Sequence, residues 1–113
     1  MKRTRLLAAA VFGAIAAMGL ALFAAQGEHP SPLFREYCAK CHGEDGRGQT
    51  PKGKQLNARD FTDTQFQSDK SDADLMKTVT KGGEDMPAFG KKLTKEQFES
   101  LVRDDVRGFG KKR

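Results

Sequence analysis

The chain has no tryptophan, one tyrosine, two cysteines and two histidines in 113 residues. Each shortage narrows what it can be. The two cysteines, Cys38 and Cys41, would close a disulfide loop too short to stabilise much. A structural zinc site wants four nitrogen or sulfur ligands, and Cys38, Cys41, His42 and the distant His29 are the whole supply. A thioredoxin-like redox pair expects a βαβ setting, and no alternating strand pattern occurs. Gly43, Gly46 and Gly48 have no strand before them and no Gly-Lys-Ser/Thr after them, so a phosphate-cradling loop is not supported. The pI of about 9.4 invites a nucleic-acid reading, but no basic stripe interleaved with aromatics is present, and none is expected to bind. There are no repeats, heptads or long low-complexity segments.

What is present begins with a leader. Lys2, Arg3 and Arg5 precede an uncharged apolar stretch, Leu6 to Ala25. The pattern is that of a Sec-type signal peptide or an N-terminal membrane anchor. At about 20 residues the stretch is long enough to span a bilayer, whereas its alanine richness favours a removable signal. Leu22-Phe23-Ala24 is the best cleavage site available. Both outcomes place the rest outside the cytoplasm, with a membrane link only through residues 6–25 if they are retained. Three of the 20 basic residues lie in this leader, which leaves 17 against 15 acidic ones. The basic pI is therefore mostly the leader plus the tail at 111–113.

The remainder divides into a linker, 26–31, and one domain, 32–110. At this size a core alone is marginal, and many such domains need a staple or a cofactor. Cys38-Ala39-Lys40-Cys41-His42 supplies the means. C-x-x-C-H reads as a c-type haem attachment site. Two thiols three residues apart can reach two porphyrin vinyl groups and form thioethers. A histidine directly after the second is held beneath the iron as proximal ligand.

Helix signals surround this run. Ser31 can cap a helix opened by Pro32. Leu33, Phe34, Tyr37, Cys38 and Cys41 then share one face, with Phe34 and Tyr37 as core. Residues 43–57 read as a glycine-rich loop. Leu56, Phe61 and Phe66 follow in a polar stretch and are expected to plug the pocket edges. Ser71 to Asp74 is a capping box opening a helix with Leu75, Met76 and Val79, ended by Gly82-Gly83. Thr94 and Gln97 open the last helix, with Phe98, Leu101, Val102 and Val106 as its apolar face and Gly108 as its stop. Asp104 and Asp105 read as a solvated pair, offset by Arg103 and Arg107.

The run LFREYCAKCHGEDGRG, the later MPAFGKKLT and the C-terminal amphipathic helix resemble a bacterial class I c-type cytochrome over roughly residues 32–107. The resemblance implies an all-α fold of three to four helices around one covalent haem c. It implies His42 as proximal and Met86 as distal ligand, so that Cys38, Cys41, His42 and Met86 bind the cofactor. Met76, on an apolar helix face, is the competing methionine and reads as core filler. The chain departs from the family in one region. A glycine is common early in the first helix and packs on a Tyr or Trp of the last. Here Pro30 and Ser31 stand near the glycine position and Asp104-Asp105 in the aromatic region, with Phe109 one turn later able to substitute.

The function implied is a one-electron carrier, not an enzyme, working with redox partner proteins as donor and acceptor in the periplasm or on the outer membrane surface. Lys40, Lys52, Lys54, Lys91 and Lys92 are candidates to ring the exposed haem edge and steer acidic partners. Their plainer reading is ordinary surface lysine. Two alternatives stay open. One is a haem enzyme or gas sensor with an open distal position, peroxidase-like in character. The other is an electron-accepting subunit of a dehydrogenase.

Overall fold

The computed structural model describes residues 27–111. The expected leader and the last two residues of the tail lie outside the described residues. Within them, every regular element is helical. They are α1 (Pro32–Tyr37), α2 (Ala39–His42), α3 (Pro51–Leu56), α4 (Thr64–Asp69), α5 (Asp72–Lys81) and α6 (Lys95–Ser100). The last continues through a π-helical stretch (Leu101–Val106) into a final turn, α7 (Arg107–Phe109). The all-α expectation therefore holds.

The helices start where side chains satisfy their first backbone donors. The Ser31 hydroxyl accepts from Phe34 N–H, with Pro32 in the first turn. Ser71 with Asp74 and Thr94 with Gln97 form reciprocal capping boxes. Gly82, at φ +80°, ends α5 in a conformation that favours glycine. The last helix runs one residue past the expected stop at Gly108.

Two stretches differ from the sequence expectation. The segment 43–57 contains α3: Thr50 accepts from Gly53 N–H and Pro51 takes the first turn. This repeats the Ser31-Pro32 start signal, hidden behind three glycines. The polar stretch beyond it contains α4, capped by Asp63, whose carboxylate accepts from Gln65 N–H.

Among the described residues nine apolar side chains are buried, four of them phenylalanines: Phe34, Phe61, Phe89 and Phe98. So small a core makes each ring contact count. Phe34 of α1 is 1% exposed and packs on Phe109 of the last turn, ring centroids 5.1 Å apart. Phe109 thus fills the aromatic role at the crossing of first and last helices. Gly46, at φ +73°, makes room for it, since a Cβ there would stand 2.5 Å from the Phe109 ring.

The reading of Asp104 and Asp105 as a solvated pair is corrected for one of them. Asp104 is exposed and accepts from Arg103 Nε at 2.8 Å. Asp105 is only 1% exposed. Its Oδ1 accepts from the backbone N–H of Ser31 at 2.8 Å, and its Oδ2 accepts from the Ser31 hydroxyl at 2.7 Å. The cause is helical periodicity: Asp105 falls seven residues after Phe98, on the same face as Leu101 and Val102. Arg107, in turn, leaves the acidic pair alone. It donates to Asp72 at 2.8 Å and to the Gln67 and Lys70 carbonyls, tying the last turn to α4 and α5.

One glycine controls how closely α3 approaches the cysteine segment. A Cβ on Gly53 would lie 2.1 Å from the Cys41 carbonyl oxygen and 2.6 Å from that of Gly48. Gly53→Ala is expected to destabilise the protein by about 1–3 kcal/mol or more, as overpacking against backbone does. Gly83→Ala, with nothing within 4 Å of the new atom, should stay within about 0.5 kcal/mol of the parent. Denaturant midpoints of the two variants check the contrast.

Candidate functional site

Cys38, Cys41 and His42 come together because the first helix breaks at Cys38. Cys38 N–H donates to Phe34 C=O at 2.8 Å, closing α1, while Cys38 C=O accepts from His42 N–H at 3.0 Å, opening α2. Both cysteines are half-buried and are not bonded to each other. Burial first, then the charge of Asp105, pushes the Cys38 thiol up to about 12. It is therefore held protonated. A thiolate metal ligand or reactive redox cysteine is favoured by the opposite shift. Among the described residues no three His, Cys, Asp or Glu side chains are arranged to hold a metal ion between them.

His42 is 8% exposed. Desolvation moves its pKa below the ordinary histidine value, although the Arg59 carbonyl beside it opposes the shift. Its Nδ1 lies 3.1 Å from that carbonyl oxygen. A carbonyl can only accept, so Nδ1 carries the proton and Nε2 keeps a free lone pair. That is the tautomer of a metal-binding histidine whose other nitrogen is fixed by a backbone group. The ring also stacks on Phe61, centroids 4.3 Å apart and planes 19° apart. An oriented imidazole beside two half-buried thiols fits the donor set of a bound haem.

The loop after the motif holds these groups in place. Gly48 N–H donates to His42 C=O at 2.8 Å, and Phe61 N–H to Gly46 C=O at 2.8 Å. The Thr50 hydroxyl is shared between the Lys40 and Cys41 carbonyls, at 2.6 and 3.0 Å. The end of α2 is thereby capped by the residue that starts α3.

Met86 comes from a separate loop. Gly82 turns the chain, Gly83 N–H donates to the Met86 carbonyl at 3.0 Å, and a Cβ on Gly82 would stand 2.6 Å from that oxygen. Phe89 and Gly90 N–H then donate back to Val79 and Thr80 at 3.1 and 3.0 Å, which closes the loop onto α5. Phe89 also meets Tyr37 of α1 edge-on at 6.0 Å. Met86 and Met76 are both half-buried against the core, while Glu84, Asp85, Pro87 and Ala88 are exposed. His29 is not part of this group. It lies against Phe109 and Asp105.

Sequence reasoning missed the Arg59 carbonyl, because a backbone acceptor leaves no side-chain signature. It placed Phe61 at a pocket edge, not against His42. The Thr50-Pro51 pair was the signal for the element that caps α2. Replacing Phe61 by Ala should cost roughly 3–5 kcal/mol and loosen the His42 ring. A denaturant series and the proton NMR signals of the imidazole check both effects.

The family model described as cytochrome c oxidase, cbb3-type, subunit III matches residues 25–103. The cbb3-type cytochrome c oxidase subunit FixP of Azorhizobium caulinodans is 32% identical over 85 residues, covering 70% of this chain and 28% of that protein. Subunit CcoP of Azospirillum brasilense is 32% identical over 80 residues, covering 70% and 27%. The chain thus spans little more than a quarter of these curated relatives. Among solved structures, the KustC0563 c-type cytochrome superposes with a TM-score of 0.65 at 39% identity, over 70% of this chain and 94% of that one. A single-residue mutant of the same cytochrome gives 0.63 at 40%, over 68% and 93%.

Proposed function

The chain belongs to the c-type cytochromes, in the family described as cytochrome c oxidase, cbb3-type, subunit III, and from that premise we propose that it is an extracytoplasmic one-electron carrier holding one haem c. Membership implies haem c binding and electron transfer. The finer reading assigns Cys38 and Cys41 as covalent anchors, His42 as proximal ligand and Met86 as distal ligand.

The observation that carries this reading is the state of His42. It is buried, its Nδ1 is engaged by the Arg59 carbonyl, and its Nε2 is free. A bound haem supplies a ferric–ferrous couple. The residues do the rest. Cys38 and Cys41 fix the cofactor's position so that it cannot dissociate between partners. With haem bound, His42 and Met86 would supply one nitrogen and one thioether sulfur to the iron, and oxygen or peroxide would then find no free place on it. That favours a carrier over the enzyme and sensor alternatives. The thioether raises the reduction potential relative to a second histidine.

The partners proposed are redox proteins. The relatives are named as subunits of a cbb3-type oxidase, which supports an oxidase-type complex on one side of the transfer. Lys40, Lys52, Lys54, Lys91 and Lys92 are all exposed and available to steer an acidic face. A small, weak interface would suit rapid exchange. The basic and apolar residues at 1–25 support export. Among the described residues no helix is long and apolar enough to cross a membrane.

Two experiments test the assignment. After expression with haem maturation, the intact chain should keep its haem through denaturation and acidic acetone extraction, and its mass should include it. Haem released into the solvent rules out the covalent anchors. For the distal ligand, Met86→Ala should abolish the far-red sulfur-to-iron absorption band, admit carbon monoxide and lower the potential. Met76→Leu, a swap of similar volume, should leave all three unchanged and cost less than about 1.5 kcal/mol. Wild-type behaviour of Met86→Ala, or ready carbon monoxide binding by the parent, would return the open-site reading.

A further inference from the structure

The side-chain amide of Gln67, on α4, is paired at both ends. Its Nε2 donates to the Phe61 carbonyl at 2.7 Å and to the Val106 carbonyl at 2.9 Å. Its Oε1 accepts from Arg107 Nη1 at 2.8 Å. These partners fix which end is nitrogen, since a carbonyl only accepts and a guanidinium only donates. Arg107 also donates to the Asp72 carboxylate at 2.8 Å and to the Lys70 carbonyl at 2.6 Å. Gly110 leaves room for the amide, because a Cβ there would stand 2.6 Å from Gln67 Cδ. One side chain thus bridges α4, the last helix and the segment that carries Phe61.

Both groups that orient the His42 ring come from that segment. The Arg59 carbonyl oxygen lies 3.1 Å from Nδ1, and the Phe61 ring stacks on the imidazole at 4.3 Å. Residues 59–61 lie between α3 and α4, in no helix of their own. Phe61 is pinned instead from two sides. Its N–H donates to the Gly46 carbonyl at 2.8 Å, in the loop after the cysteine motif. Its carbonyl is held by Gln67.

We propose that Gln67 is a positioning residue for His42. Its amide, clamped by Arg107, holds the Phe61 carbonyl. Through the Phe61 ring and the neighbouring Arg59 carbonyl it fixes the direction in which the imidazole presents Nε2. The inference rests on the haem reading above for what that direction serves, and adds to it a residue outside the ligand set.

The test is solvent exchange of the His42 Nδ1 proton, followed by NMR in the haem-loaded, reduced full chain. The variants are Gln67→Leu, Gln67→Glu and Gln65→Ala. Leucine keeps most of the volume and none of the hydrogen bonds. Glutamate keeps the acceptor for Arg107 and removes both N–H donors. Gln65→Ala removes an exposed amide of the same helix that pairs with Asp69. Each rate is read against the backbone N–H groups of α5 and α6, which a general loss of stability speeds as well. Both Gln67 variants are expected to speed the Nδ1 proton about tenfold relative to those groups, as losing one net hydrogen bond does to a local opening. Gln65→Ala should stay within about twofold of wild type. An unchanged Nδ1 rate in the Gln67 variants overturns the proposal. Equal acceleration of the Nδ1 proton and the helix groups also overturns it, because the amide then acts on stability alone. If neither Gln67 variant accumulates with haem, Gly110→Ala takes their place. Its Cβ crowds the Gln67 amide from the last turn and should speed the Nδ1 proton in the same selective way; no change there overturns the proposal equally. A wild-type chain that takes up no haem would sink the haem reading, and this proposal with it, and be recognised from its absorption spectrum before any exchange is measured.

Discussion

The crossing of the first and last helices is the contact on which the rest of the structure depends. Its two ends are closed by different chemistry. At one end Phe109 packs on Phe34 and Phe61. At the other, Asp105 takes both donors of Ser31. Burying a carboxylate costs several kcal/mol even after relaxation, and hydrogen bonds to a charged group return about 1.5–3 kcal/mol each. The junction is close to balanced on those terms. What it gains is register: the residue that caps α1 is fixed by the residue that faces it seventy-four positions later, and α1 can slide along neither helix face without breaking the pair.

That register passes straight to the proposed haem site. α1 ends in a backbone bond from Cys38 to Phe34, the most buried phenylalanine. Phe61 touches Phe34 and Phe109 and also stacks on His42. One aromatic cluster thus orients the helix that carries the thiols and the imidazole beside them. On the far side, Tyr37 meets Phe89, which follows Met86 by three residues. Core packing and site geometry are the same set of contacts, and the nine buried apolar residues among those described leave little elsewhere to hold them.

Much of this was legible in the chain because the signals were local. Ser31-Pro32, Ser71 with Asp74, and Thr94 with Gln97 each announce a helix start within four residues, and all three caps form. C-x-x-C-H carries its proposed haem chemistry within five. The failures share a different cause. Thr50-Pro51 had the same local signal, but the glycines at 43, 46 and 48 argued for loop throughout. Glycine there serves close approach, as with Gly46 beneath Phe109, and says nothing about the helix that follows. Asp105 was misplaced because residue type was given more weight than position. Its partner, Ser31, is distant in sequence, so nothing nearby showed that a carboxylate on the core face would be satisfied. The Arg59 carbonyl was invisible in principle, since any residue offers one.

The departure from the family pattern becomes intelligible in these terms. Where a glycine and a large aromatic would meet by shape alone, this chain sets a hydroxyl against a carboxylate and moves the aromatic one turn along to Phe109. Gly108 then takes over the small-residue role from the opposite helix, since a Cβ there would stand 2.8 Å from the His29 ring. The close approach is kept while the chemistry at its centre changes from apolar to charged. A shape-only crossing would be electrostatically silent. A polar one needs a partner for each buried donor and acceptor, and here Ser31 gives Asp105 two. The device that sets the helix register therefore works only as a pair: loss of either Ser31 or Asp105 leaves the other without its hydrogen bonds.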